Sequence, residues 1–112
     1  MSQYGRITDF EAEIVVDLVS IDDTDSPYVV LDSNYYISCD VSSGAITVEM
    51  PNSPLEGRVF IVKDAEGNSS VNNITVTTDS GTVDIDGATS QAISMDFKSL
   101  NFIFNGTSYE IF

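Results

Sequence analysis

The residues of this chain that could do chemistry are few, and nearly all of them are acids. Lys63 and Asp64 stand together at the end of the apolar run "VFIVKD", and a lysine beside a carboxylate is a minimal proton-transfer pair. Asp84 and Asp86 alternate along "TVDIDG"; two carboxyls flanking a sugar are enough for glycoside hydrolysis. Asp22, Asp23 and Asp25 in "DDTDSP", together with Asp84, Asp86 and Gly87, present the hard oxygen ligands that calcium takes. A single cysteine, Cys39, lies within "YYISCDV".

Most reaction classes lack their parts. With no histidine, the usual serine or cysteine triad, the histidine general base and the common zinc sites are absent. "EGNSS" and "DSGTVDIDG" have neither the lysine nor the repeated glycines of a phosphate cradle. An i, i+2 pair such as Asp84 and Asp86 falls on one face of a strand, where it reads as a solvated sheet edge. Aligning Gly87 with the loop glycine of an EF-hand puts Thr82 first and Ile93 last, where a carboxylate is required. Catalytic, cofactor-binding and resident metal residues are therefore all assigned as none. A calcium ion held between subunits is the one cofactor the acids invite. Asp64 suits the first position of a turn closed by Gly67, with Lys63 paired to the acidic surface. One cysteine excludes an intrachain disulfide, and in a strand it reads as a small buried hydrophobe.

Composition bounds the partners. A chain of 112 residues is one domain with a modest core. Its net charge of −14 sets a repulsive field against phosphate backbones and anionic bilayers, so neither nucleic acid nor membrane is expected as a partner. Such self-repulsion favours help from neighbouring subunits or bound cations. A hydrophobic content of 42% is too high for a disordered acidic tail. No segment approaches the roughly 18 apolar residues of a membrane span, and "MSQYGRITDFEAEIVV" lacks the form of a secretory signal, so a soluble protein is expected.

Hydrophobicity repeats with period two almost everywhere along the chain. "AITVEM" sets Ile46, Val48 and Met50 on one face; "NITVTTD" does the same with Ile74 and Val76; "VFIVKD" is continuously apolar and suits a strand covered on both sides. "YVVL", "YYISC", "TVDID", "AISMDF", "LNFIF" and "SYEIF" supply further strands. Turn signals separate them, the strongest being Asn105-Gly106, which suits a type I′ hairpin. The expected class is all-β, a compact antiparallel β-sandwich or β-roll of about eight short strands.

Residues 1–27 differ. Ile14, Val15, Val16, Leu18, Val19 and Ile21 fit either a long strand or two turns of helix, with β-branching favouring the strand. "DDTDSP" then reads as a hinge. The division is residues 1–27, an N-terminal arm or first strand plus hinge, and residues 28–112, the β domain. An apolar arm on an acidic body needs somewhere to bury itself.

From Tyr28 to Phe112 the order of motifs becomes familiar: "YYISCDVSSGAITVEMP", then Pro54, Gly57-Arg58 and "FIVKDAEGN", then "NNITVTTDSGTVDIDG", and finally "FIFNGTSYEIF". This series resembles a small β domain that recurs in bacteriophage tail fibres, head fibres and related virion surface proteins. Met50 stands where leucine is usual, and Tyr109 where the closing aromatic is often tryptophan. The resemblance implies a non-enzymatic virion component, assembled in the host cytoplasm as a homo-oligomer, a trimer, and bound to a capsid or other virion protein. A short chain with one such module suits a capsid decoration (cement) or short head-fibre protein. The arm is then the attachment segment, with Tyr4, Ile7, Phe10, Ile14, Val16 and Leu18 as anchoring residues. The alternative is a tail-fibre module that recognises a host glycan or receptor, with Tyr35, Tyr36, Phe102 or Tyr109 stacked on sugar faces.

Overall fold

The computed structural model describes residues 14–112. The period-two runs become strands in chain order: β1 (Leu18–Asp22), β2 (Tyr28–Val29), β3 (Tyr36–Asp40), β4 (Ile46–Met50), β5 (Val59–Asp64), β6 (Ile74–Thr78), β7 (Ser90–Ile93), β8 (Ser99–Phe104) and β9 (Tyr109–Ile111). They form two sheets, a five-stranded one ordered β1-β3-β5-β8-β9 and a four-stranded one ordered β2-β4-β6-β7. The protein is all-β.

The expected antiparallel pairing gives way to mixed sheets. β1, β3 and β5 run parallel, as do β2, β4 and β6, while β7, β8 and β9 pair antiparallel. From β1 to β6 the chain alternates between the two sheets. The turn at Ser43-Gly44 is thus a crossover from β3 to β4 in the other sheet rather than a hairpin. A chain that crosses over and returns meets its earlier strand in the same direction, with no helix needed for the parallel connection.

Each strand turns one row of side chains toward a shared core. β4 buries Ile46, Val48 and Met50, β6 buries Ile74 and Val76, β3 buries Ile37 and Cys39, and β5 buries Phe60 and Val62. Burying each such aliphatic or aromatic side chain contributes roughly 1.5–3 kcal/mol. β5 is not covered on both sides as its apolar run suggested: Val59, Ile61 and Lys63 point outward and stay half-exposed. β1 settles the helix-or-strand question for residues 18–21, with Ile21 buried and Val19 packed against the core; residues 10–13 lie outside the described residues.

Three more expectations change. "DDTDSP" is a capped 3-10 turn, Asp23–Asp25, closed by reciprocal hydrogen bonds between Asp22 and Asp25, and Thr47 N–H donates to Ser26 Oγ at 2.9 Å, tying the segment to β4. "TVDID" forms no strand of either sheet; Ile85 alone makes isolated bridges, to Ala88 and Tyr109. Asn105-Gly106 belongs to a four-residue loop between Phe104 and Tyr109. There Asn105 Oδ1 accepts from the Thr107 and Ser108 N–H groups, and only Gly106, at φ 99°, takes the left-handed region.

The two borders of the five-stranded sheet are unlike. Along the outer edge of β9, the Tyr109 N–H donates to Asp84 O, the Asp86 N–H to Tyr109 O, and the Ile111 N–H to Asp86 Oδ1. At the other end β1 and β2 are terminal strands with no outer neighbour among the described residues, and β7, which ends the four-stranded sheet on the β9 side, has none either.

Tyr109 fastens the closing hairpin to both sheets. Its ring lies 5.1 Å from that of Phe104 and 6.4 Å from that of Phe60, and its hydroxyl donates to Pro51 O at 2.6 Å, beyond the end of β4. Burial drives its hydroxyl well above the ordinary tyrosine range; the nearby Arg58 charge opposes that shift and the Asp32 charge adds to it. Tyr109→Phe is expected to lower unfolding free energy by about 1–2 kcal/mol, because the Pro51 carbonyl loses a buried donor. Urea denaturation with an unchanged m-value checks this; an unaltered midpoint would show the bond to be without weight.

Candidate attachment surface

The open end of the stack gathers exposed apolar side chains. Ile14 is 93% exposed and Leu18 58%, with Val15 and Val16 between them also exposed. Tyr4, Ile7 and Phe10, the other expected anchors, lie outside the described residues. Because Val19 and Ile21 of β1 point inward, alternation turns Leu18, Ser20 and Asp22 outward. Register places Leu18 in one row with Tyr36 and Ile61 across the outer face of the five-stranded sheet. On the neighbouring sheet Val29 of β2 and Leu31 beyond it are exposed as well. A terminal strand with no outer neighbour among the described residues, beside uncovered apolar side chains, is a template for strand pairing or apolar docking.

The acids divide by what they already hold. Asp22 Oδ1 accepts from both the N–H and the hydroxyl of Thr24, and Asp25 Oδ2 from the Asp22 N–H. Asp84 and Asp86 are exposed on the segment that closes β9. Among the described residues no three acidic or cysteine side chains converge where they could hold a metal ion.

Asp64 is the exception, a fully buried carboxylate. Its Oδ1 accepts from the Gly67 N–H and its Oδ2 from the Ser69 and Phe97 N–H groups, all at 3.0 Å. The expected turn to Gly67 is present, but the same side chain also reaches the turn between β7 and β8. Burial alone would push its pKa up; the hydrogen bonds outweigh burial and hold it at about 2. Lys63 takes the Phe97 carbonyl as its partner, with its ammonium 5.7 Å from the Phe97 ring centroid. Cys39 is buried, and burial, with the Asp64 charge second, raises its thiol to about 12, the behaviour of a core hydrophobe.

Of the aromatics offered for sugar stacking, Phe102 and Tyr109 are fully buried, while Tyr35 and Tyr36 are half-buried. A cavity of about 430 Å³ opens elsewhere, lined by Asp32, Ser53, Pro54, Leu55 and Arg58. Arg58 is fixed there by a 2.6 Å hydrogen bond from Nη2 to Asn34 O and by stacking 4.8 Å above the Phe60 ring. Sequence reasoning did not find this group. The proline-bracketed turn Pro51 to Pro54 was its only local signal, and Asp32 reaches it by tertiary folding.

The chain matches no protein-family model and no curated protein significantly.

Asp64 sets the acid limb of stability. Its folded pKa lies below the roughly 3.9 of an unfolded aspartate, so its contribution is complete above that value and is lost as pH falls through about 2. Asp64→Ala is expected to destabilise by about 3 kcal/mol or more at neutral pH, leaving buried N–H groups without an acceptor. It should also flatten the loss of stability below about pH 4. Denaturation midpoints measured from pH 2 to 7 check both, and a variant that retains the parental acid limb would refute the assignment.

Proposed function

We propose that this chain is a non-enzymatic structural protein of a bacteriophage particle, a capsid decoration or short head-fibre protein attached through its N-terminal segment. The observation that carries this reading is the exposed apolar side chains Ile14, Val15, Val16 and Leu18 leading into the edge of β1, which has no outer neighbour among the described residues. A strand edge open to an outside neighbour suits addition to a shell protein, by backbone pairing with alternate side chains filling pockets. The motif order from Tyr28 to Phe112 supports the virion assignment by resemblance. The finer architecture proposed is a sandwich-like module that associates as a trimer, hiding apolar surface that a domain of this size leaves uncovered.

A second reading, a receptor-binding module for a host glycan, is favoured by the Arg58 cavity. There Asp32, Ser53 and the guanidinium could meet hydroxyls while Pro54 and Leu55 meet an apolar sugar face. Binding on a glycan array that is abolished by Asp32→Asn would move the assignment to this reading.

Deleting residues 1–16 removes the exposed apolar run ahead of Leu18 and leaves β1 whole. The truncated protein is expected to stay folded and soluble but to fail to co-sediment with phage capsids in a density gradient. Retention on capsids equal to that of the full chain would sink the attachment role of this segment.

A further inference from the structure

The most constrained surface feature lies far from the open end in sequence, at the turn Met95 to Lys98 between β7 and β8. Phe97 sits there at φ 64°, a left-handed conformation that a bulky side chain rarely adopts. Its backbone is held on both sides. Its N–H donates to the buried Asp64 carboxylate, and its carbonyl accepts from Lys63 Nζ. The Met95 carbonyl accepts from Ser69 Oγ at 2.7 Å, and Asp96 Oδ1 from the Ser70 N–H at 2.9 Å. The ring lies against Gly67 so closely that a Cβ there would come within 2.4 Å of Phe97 Cε2.

All this fixes an aromatic that remains 58% exposed, beside Met95 at 65%. Val71, directly after Ser70, is 80% exposed. Strain retained to display a rigid aromatic in water points to a contact made by another molecule. Charge narrows the choice of partner. Of the three cationic side chains among the described residues, Arg58, Lys63 and Lys98, Lys63 lies 5.7 Å from this ring and the exposed Lys98 follows Phe97 in the chain. On a chain of net charge −14, Lys63 and Lys98 offset the acids around this patch and lower the repulsion a second copy meets there. The exposed acids Glu66 and Asp96 close by give Lys98 of a neighbouring copy something to face.

We propose that Phe97, with Met95 and Val71, is the face through which copies of this chain associate, each copy contributing the same patch around a rotation axis. This deepens the homo-oligomer proposed above and rests on it. Lys98 supplies the charged rim.

Sedimentation equilibrium on the full chain, with thermal melts at a concentration where it is dissociated, tests this through Phe97→Asn and Lys98→Glu. Asparagine accepts positive φ, so Phe97→Asn is expected to hold or raise the melting temperature while weakening self-association about 30-fold or more. Lys98→Glu changes an exposed charge only and is expected to weaken it about 5-fold. If Phe97→Asn also lowers the melting temperature, the Lys98→Glu result decides: weakened association supports the face, and parental association overturns it. Oligomers that persist unchanged in both variants overturn this face alone and leave the oligomer standing. A parent chain that stays monomeric at every concentration overturns the oligomer as well, while capsid attachment through the N-terminal segment is judged separately by the truncation.

Discussion

The carboxylate of Asp64 is the constraint on which the rest of the chain closes. It sits at the end of β5, the last strand of the parallel part of its sheet, and gathers backbone N–H groups from the loop that leads to β6 and from the turn that leads into β8. A buried anion is tolerated only where several donors replace its lost water. The three donors it accepts do that, and in doing so they place the crossover to the second sheet and the return to the first in one fixed relation. Thr78 repeats the device on a smaller scale: its buried hydroxyl donates to the Val83 carbonyl and accepts from the Val83 N–H, turning the chain after β6.

Between such fixed points the fold follows from alternation. Ile46, Val48 and Met50 were legible as a core row because a strand with one buried face must repeat with period two. The partners of those strands were not legible. Ser43-Gly44 looks the same whether it folds a strand back on its neighbour or carries it to another sheet, so parallel and antiparallel arrangements share their local signals. "TVDID" failed for a related reason. It alternates like a strand, yet its backbone is used by the hairpin that arrives more than twenty residues later.

The candidate surfaces were legible in proportion to how local they are. Ile14 to Leu18 stands out because apolar residues precede an acidic body without a matching polar face. Phe97 does not stand out at all. Positive φ is ordinarily announced by glycine or asparagine, and here it is imposed on a phenylalanine by hydrogen bonds from residues some thirty positions earlier. The Arg58 cavity was hidden for the same reason, since Asp32 joins it only through the fold.

The unequal borders of the five-stranded sheet give it a direction. Where Asp84 to Asp86 fill the outside of β9, the ladder is finished, and nothing can extend it there without displacing them. Where β1 ends it, the ladder has no outer neighbour among the described residues. A sheet with one finished border is extended by strand pairing only beside β1, so a run of copies cannot propagate through this sheet alone, whereas the four-stranded sheet, open at both β2 and β7 among the described residues, carries no such limit.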